Sequence, residues 1–564
     1  MRALRFVAVA AAAALMAAGG AAAHTGSSTS DPDEQHGGPG GHLPATVENM
    51  QLVGRVNVSN FGPARTADVT AKGNYAYLAW RNTGPCDPGR ANIVDISNPA
   101  APVEVGAITF PVGTYPGEGM QVVSLNTPAF RGDVLVANNE NCGTNPARVG
   151  GFSLYDVTNP LAPQALAVGK GDFTVGAAVQ PRANQYHSAF AWQNDRKAFL
   201  IGVDNNEAGL LDVDIYDITD PRNPALIKET GLSDWPAAQQ PLANGSQANH
   251  HDLVVQKVRG QWRALISYWD AGWVILNVND PANPVFVDDS DYLEPDPLTG
   301  FTPAEGNAHQ AEWNQNGKYI IGTDEDFAPN RTRFQITTGP NAGFYQAGEF
   351  SFTPLIATKF PAGLEGPTIW GGSGCTEDAN GNGTSDRDEV PDASSLPANP
   401  GEAKIVVFSR GVCFFSDKIR TGELKGYDAV IIGQSHGGSG LGARPEGFTC
   451  GAQGSPVAGT ASAICIGHRA MHLLFNDSPE YTPNESVFPN TTFPPGGDLP
   501  AIGTLGERIR ADTTYDGWGF VRLLDAETLE EIDSYAVSEG IDPAFATGFG
   551  TLSVHEVATD PDDA

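Results

Sequence analysis

The amino-acid sequence predicts a mainly β protein: a β-propeller of about six blades, the last one incomplete, with a smaller α/β domain inserted near its C-terminal end. Three observations lead to this prediction. One phrase recurs about every 60 residues, short strand-like runs precede its copies, and the pattern changes to alternating strands and helices between residues 341 and 500. Repeats of this length and β character are typical of propeller blades.

The recurring phrase joins a β-branched run, an Asp or Asn, and two prolines three residues apart. It occupies residues 94–102, 155–163, 216–224 and 276–284, so that its second residue falls at positions 95, 156, 217 and 277. The β-branched run predicts a strand. The Asn-Pro or Asp-Pro pair predicts a tight turn that ends the strand.

Each repeat has room for four short strands, which is the content of one blade. Further strand-like runs lie at residues 75–80, 198–203 and 263–268. A fifth unit begins at residues 305–309, is interrupted and resumes at 517–525, and a sixth opens at 552–557. The alternatives are tandem β-sandwiches, which need about 100 residues each, and a β-solenoid, whose repeats are much shorter.

These residues resemble the LVIVD-repeat family of propellers, whose repeats carry the phrase V-D-I/V-(S/T/N)-(N/D)-P-x-x-P. The resemblance covers roughly residues 50–340 and part of the tail. It implies a propeller with a first part at residues 46–340 and a return at 501–564. It implies almost nothing about function, because members of this family are mostly uncharacterised.

The N-terminus predicts export. Residues 1–23 place Arg2 and Arg5 before an apolar run that ends in three alanines, which is the pattern of a secretory signal peptide. A buried helix or a membrane anchor is the alternative, but the run is short for a span of about 20 residues. Residues 24–45 are polar and Gly-rich, and we expect a disordered linker. We therefore expect a secreted, extracellular protein that has no membrane span.

The charge and cysteine content of the chain limit the kinds of partner and the redox environment that we expect for the protein. The chain has 66 Asp and Glu against 33 Lys and Arg, which argues against nucleic acid as a partner because phosphate binding needs a basic surface. Six cysteines in an exported chain predict three disulfides. Their clustering along the chain favours the pairs Cys86–Cys142, Cys375–Cys413 and Cys450–Cys465.

The insertion at residues 341–500 has its own motif. Residues 404–414 predict a strand that enters a glycine turn, 415–425 a helix, and 426–432 a second strand. This resembles the protease-associated (PA) domain, in which K-I-V-x-x-x-R-G-x-C-x-F precedes a helix and then G-x-x-A-V-I-I. The resemblance implies an accessory domain that binds peptides or gates access to a partner, with no catalytic residues.

Two shorter motifs lie inside this insertion. The first matches the twelve-residue calcium loop D-x-[DN]-x-[DN]-G-x5-E, and its oxygen ligands would come from Asp378, Asn380, Asn382, Thr384, Asp386 and Glu389. The alternative is an acidic surface loop. The second is G-x-S-x-G around Ser435, but a glycine-rich loop follows where a nucleophile elbow needs a helix. We therefore expect no catalysis at Ser435.

Four histidines recur at one phase of the repeat, each where a strand opens: His187, His251, His309 and His555. Glu118 occupies a similar phase in the second unit. Since the first strand of a blade lines the central channel, residues at one phase would converge on a ring. Imidazole with carboxylate suits zinc, copper or iron. The alternative is that each histidine only forms a hydrogen bond with a neighbouring blade.

Two classes of function follow. The leading prediction is a secreted, non-catalytic binding or scaffold protein, with a structural calcium loop and a protein, peptide or glycan ligand. The alternative is a metal-dependent enzyme, an oxidase or a hydrolase, with a histidine-lined site that holds a transition metal in the channel.

Overall fold

The computed structural model describes residues 51–559 outside a set of gaps: 59–65, 82–88, 143–144, 177, 206–210, 236–249, 270, 291–307, 326–329, 351, 380, 436–449, 451–459, 478–499, 516, 518, 543–553 and 555. The predicted signal peptide and linker lie outside the described residues. So do Cys86, Asn380 and His555.

The described residues form five four-stranded antiparallel sheets, each of which is a propeller blade. Blade one contains β1 (Thr66–Lys72), β2 (Tyr75–Trp80), β3 (Arg90–Asp95) and β4 (Val103–Thr109). Blade two contains β6 (Gln121–Asn126), β7 (Arg131–Asn138), β9 (Phe152–Asp156) and β10 (Gln164–Lys170), with β5 (Thr114–Tyr115) and β8 (Glu140–Asn141) paired beside it. A small hairpin of β11 (Thr174–Val175) and β12 (Ala178–Val179) follows.

Blades three and four repeat the same order. Blade three contains β13 (Ala189–Asn194), β14 (Lys197–Val203), β15 (Val213–Asp217) and β16 (Ala225–Thr230), and a 3-10 turn at Leu232–Asp234 follows it. Blade four contains β17 (Asp252–Val258), β18 (Gln261–Ser267), β19 (Trp273–Asn277) and β20 (Val285–Asp289).

The recurring phrase ends the third strand of blades one to four. Asp95 accepts the backbone N–H of Ser97 at 2.8 Å, and Asp217 accepts that of Thr219 at the same distance. Such a side-chain bond two residues on forms an Asx turn. The phrase therefore marks the place where each blade reverses into its outer strand, as the sequence predicts.

Blade five is built from two distant parts of the chain. It contains β21 (Ala308–Trp313), β22 (Tyr319–Asp324), β30 (Val521–Asp525) and β31 (Glu531–Tyr535), and a 3-10 turn at Ser538–Ile541 follows. Strand β22 pairs antiparallel with β30, so that Thr323 lies opposite Val521. An insertion between these strands therefore leaves the ladder of the blade intact.

Hydrophobic side chains fill the space between neighbouring blades. Trp273 of blade four and Trp313 of blade five are both buried in one such layer, with Leu524 beyond the insertion. The sequence predicted about six blades, the last one incomplete, whereas the described residues form five blade sheets. Instead, the backbone N–H of Val557 donates to the side chain of Gln310 on β21 at 2.9 Å.

The insertion forms a closed seven-stranded sheet, which we call the inserted unit (residues 330–515). Its strands are β23 (Asn330–Ile336), β24 (Gly343–Glu349), β25 (Leu364–Trp370), β26 (Ile405–Ser409), β27 (Ala429–Gly433), β28 (Ser462–Ile466) and β29 (Leu505–Tyr515). Its helices are α1 (Ile356–Lys359), α2 (Asp386–Glu389), α3 (Phe415–Leu424) and α4 (His468–Leu473), with a 3-10 turn at Ala393–Ser395.

The inserted unit reaches beyond the predicted limits of 341 and 500. Strand β23 pairs with β29 along the whole length of β23, from Asn330 opposite Tyr515 to Ile336 opposite Ile509. Strands β25 to β28 run parallel, and α3 connects β26 to β27. Every residue of β26, β27 and β28 is buried, which explains the nearly continuous apolar sequence of these three strands.

Two of the predicted disulfides, Cys375–Cys413 and Cys450–Cys465, are present in the inserted unit. Cys142 is also disulfide-bonded, and its predicted partner lies outside the described residues. No helix in the described part of the chain is long and apolar enough to cross a membrane.

Candidate metal centre

Consecutive blades bring a charged or ionisable side chain to one place on the propeller axis. Glu118 precedes β6 of blade two, His187 precedes β13 of blade three, and His251 precedes β17 of blade four. His309 is the second residue of β21 in blade five. Each therefore stands where the first strand of its blade begins, and the predicted common phase becomes a cluster in space.

The distances within this cluster are short. The Oε2 atom of Glu118 lies 3.7 Å from Nε2 of His187, 4.0 Å from Nε2 of His251 and 3.5 Å from Nε2 of His309. The Nε2 atoms of His187 and His251 are 2.9 Å apart. In Glu118, His251 and His309 the candidate ligand atoms all lie within 4.8 Å of one another.

These separations suit a metal ion. Bonds of about 2.1 Å from one ion to two ligands place those ligands about 3.0 Å apart at a right angle and about 4.2 Å apart when they are opposite. The Glu118 distances to His251 and His309 fall in that range. Two imidazoles and one carboxylate are a donor set used by zinc and by non-haem iron.

Two further glutamates surround the histidines. Glu325 Oε2 lies 3.5 Å from Nε2 of His251 and 3.7 Å from Nε2 of His309. Glu140 Oε1 lies 3.2 Å from Nδ1 of His187, and its other oxygen accepts the Tyr115 hydroxyl at 2.6 Å. A carboxylate on Nδ1 fixes the tautomer of a histidine and directs its Nε2 at a metal.

Sequence reasoning missed Glu140 and Glu325. Both follow the second strand of a blade, since β7 ends at Asn138 and β22 ends at Asp324. In an antiparallel pair the second strand ends beside the start of the first, so an acid at this position reaches the same end of the channel. That spacing is the signal that could have found them.

The cluster is buried at one side and more open at the other. The exposed fraction of the side chain rises from 2% at His309 to 25% at His187. The indole of Trp269 stacks on the ring of His251, with 6.1 Å between centroids. Among the described side chains of the cluster, His187 is therefore the most exposed.

The electrostatics of the cluster favour bound positive charge. Burial alone would lower the pKa of His187, but the hydrogen bond and charge of Glu140 outweigh it and raise that pKa to about 9. Burial raises the pKa of Glu325 to about 7, against the opposing effect of His309. The carboxylates therefore stabilise positive charge among them. Protons on the histidines or a bound metal ion can provide that charge.

The predicted calcium loop forms a turn closed by its own side chains. The carboxylate of Asp378 accepts the backbone N–H of Asn382 at 3.0 Å and that of Gly383 at 2.7 Å, and the amide of Asn382 donates to Glu389. Thr384 donates its N–H to Asn382 at 2.9 Å.

Asp386 of the same loop faces the interior. It is buried, and its two oxygens accept the backbone N–H groups of Ser373 and Ala379, each at 3.1 Å. Ser435 follows β27, and the residues directly after it lie outside the described part of the chain.

Comparison with known proteins adds a family match over a short stretch. The LVIVD repeat matches residues 63–109. No curated protein matches the chain.

Several solved structures are similar to parts of the chain. An α-L-arabinofuranosidase of Fusarium graminearum, in complex with arabinobiose, is 11% identical over 48% of this chain and 78% of that chain, with a TM-score of 0.33. A β-fructofuranosidase of Bombyx mori, in complex with sucrose, is 12% identical over 54% and 68%, with a TM-score of 0.29. An aminopeptidase from Aneurinibacillus sp. strain AM-1 is 18% identical, with a TM-score of 0.17, and the match spans 38% of each chain.

Proposed function

We propose that this protein is a metal-dependent enzyme, an oxidase or a hydrolase, with its centre on the propeller axis. One observation carries the proposal: Glu118, His251 and His309 come from three blades, and their ligand atoms lie within 4.8 Å of one another. Three blades have no need to present such groups to one point for stability alone, because buried charges are costly unless they are paired or bind a metal.

The residues have distinct roles in this proposal. His251, His309 and Glu118 would hold a divalent transition metal, and His187 would occupy a fourth position. Such an ion supplies Lewis acidity and activates water, or supports oxygen chemistry when it is iron or copper. Glu140 orients His187 through Nδ1.

The test is metal analysis of the purified full chain, before and after dialysis against a chelator. We expect one transition-metal ion per chain, lost in the double variant His251→Gln/His309→Gln. A matched control is His472→Gln, a buried histidine of α4 that lies 3.0 Å from Asp477 and away from the cluster. Oxygen uptake and ester hydrolysis by the loaded protein then separate oxidase from hydrolase. Equal metal content in all three proteins would contradict the proposal.

A second function, binding of a peptide or glycan, is proposed for the inserted unit as a PA domain. The order of β26, α3 and β27 supports this assignment. Val412 and Phe414 follow β26. Val412 is 46% exposed and Phe414 is 54% exposed, so an apolar surface is available to a ligand. A peptide array probed with the full chain and with Val412→Ser/Phe414→Ser tests it, and equal signals would contradict it.

Two further proposals accompany this function. Export of the chain through a signal peptide at residues 1–23 agrees with its disulfides. Structural calcium at residues 378–389 is supported by the closed turn around Asp378.

A further inference from the structure

A buried lysine contacts one of the two disulfides of the inserted unit. Lys418 of α3 is 0% exposed, and its Nζ lies 3.3 Å from Sγ of Cys375 and 2.5 Å from the carbonyl oxygen of Ser373. Cys375 is itself fully buried. The ammonium group of Lys418 therefore faces one particular sulfur of the Cys375–Cys413 bond.

The other sulfur belongs to a more accessible residue. Cys413 is partly exposed, and it lies between the exposed side chains of Val412 and Phe414. The two ends of the disulfide thus differ: Cys413 is open to a reagent, and Cys375 lies beside a cation.

Thiol–disulfide exchange needs both of these features. An attacking thiolate must reach one sulfur, and the reaction is faster when the departing thiolate is stabilised, as it is beside a lysine. We propose that Cys375–Cys413 is a site of thiol–disulfide exchange with an external thiol, at which Cys413 is attacked and Lys418 assists the departure of Cys375.

The step balances without another reagent. The external thiolate forms a bond to Sγ of Cys413, the Cys375–Cys413 bond breaks, and its electron pair stays on Sγ of Cys375. Lys418 pairs with that thiolate or transfers a proton to it. A second thiol then releases the external group from Cys413, so that two thiols are oxidised to a disulfide and the protein disulfide is reduced.

The surroundings of Lys418 link the disulfide to the loop at residues 378–389. The Nζ of Lys418 donates to the carbonyl oxygen of Ser373. Asp386 also accepts the backbone N–H of Ser373. Reduction of the disulfide would therefore loosen the segment that leads into residues 378–389.

The test uses the full chain under native conditions with glutathione as the thiol. Rapid alkylation and peptide mass analysis give the rate at which each disulfide opens and the cysteine that carries glutathione. We expect Cys375–Cys413 to open at least tenfold faster than Cys450–Cys465, with glutathione on Cys413. We expect Lys418→Met to slow the opening at least tenfold.

Three results would overturn the proposal: glutathione on Cys375 rather than Cys413, equal opening rates of the two disulfides, or an opening rate in Lys418→Met equal to that of the wild type. If Lys418→Met does not fold, the wild-type protein still decides the matter. Equal opening rates of the two disulfides, or an adduct on Cys375, then contradict it.

Discussion

Arg522 and Asp324 join the two separate halves of blade five. The guanidinium Nε of Arg522 on β30 donates to Oδ2 of Asp324 on β22 at 2.8 Å. The two residues are 198 positions apart, and the whole inserted unit lies between them in the chain. The side chain of Asp324 is 3% exposed, so this ion pair is a buried link at the place where the chain leaves the propeller and returns.

The first prediction concerns this pair. Arg522→Met should destabilise the protein by about 3 kcal/mol at pH 8, because it leaves a buried carboxylate without its cation. Burial already raises the pKa of Asp324 to about 6 although Arg522 lowers it. The folded state therefore binds the proton more tightly than the unfolded state, and stability falls as the pH rises from about 4 to 6. Without Arg522 that pKa rises further, so the loss should be smaller at pH 4.5 than at pH 8.

Denaturant melts at the two pH values measure this effect. The matched control is Arg420→Met, since Arg420 forms an ion pair with Glu423 at 3.4 Å on α3 but its side chain is 59% exposed. Its loss should cost less than about 1 kcal/mol at either pH. An equal loss for Arg522→Met at both pH values would show that Asp324 does not titrate as described.

The second prediction concerns the orientation of His187. Glu140→Gln should weaken the affinity for the axial metal about 10- to 100-fold, because carboxylates behind a ligating histidine typically contribute that much. Tyr115→Phe removes only the hydroxyl that donates to Glu140 at 2.6 Å. It should also weaken the metal affinity, but by a smaller factor. Competition with a chromogenic chelator measures both affinities. If Glu140→Gln binds the metal with the affinity of the wild type, His187 is not a ligand of the metal site.

The blade pattern could be predicted because its signals are local. The turn after β3 is closed by a hydrogen bond between Asp95 and Ser97, which are two residues apart. The phrase can therefore form this turn without contacts to distant parts of the chain. The phase of His251 and His309 was predictable for a related reason: strands of equal blades begin at equal depth in the channel.

Other features depend on contacts between distant segments, which a single sequence does not reveal. Glu325 reaches the cluster only because β22 ends beside the start of β21, where Asp324 lies opposite Ala308. Strand β23 precedes residue 341, where the insertion was predicted to begin, yet it pairs with β29, so the limits of the inserted unit were placed too far inside. The sixth unit adds no strand to the described residues. Instead, Val554 donates its backbone N–H to the carbonyl oxygen of Asp324 on β22, and Val557 donates to the side chain of Gln310 on β21.

The third prediction concerns residues 378–389. Calcium should raise the melting temperature of the wild type, because a ligand held only by the folded state stabilises it by about 2.7 kcal/mol at 100 times its Kd. Asp378→Ala/Glu389→Ala should abolish that rise. Asp388→Asn is the matched control, since Asp388 is an exposed acid of the same loop outside the predicted ligand set. A calcium-induced rise that survives the double variant would contradict the site.

The fourth prediction is that the propeller folds and keeps its axial metal without the inserted unit. Because Thr323 lies opposite Val521, residues 326–518 can be replaced by a short Asn-Gly turn that makes β22 and β30 a hairpin. The matched comparison removes only residues 341–500. That cut retains β23 and β29 and exposes Phe334, Ile336 and Ile509, which are fully buried in the whole chain, so it should aggregate. Circular dichroism, size-exclusion chromatography and metal content compare the two proteins. If the first variant aggregates and the second one folds, the boundary of the inserted unit lies inside residues 330–515. Strands β23 and β29 then belong to the propeller.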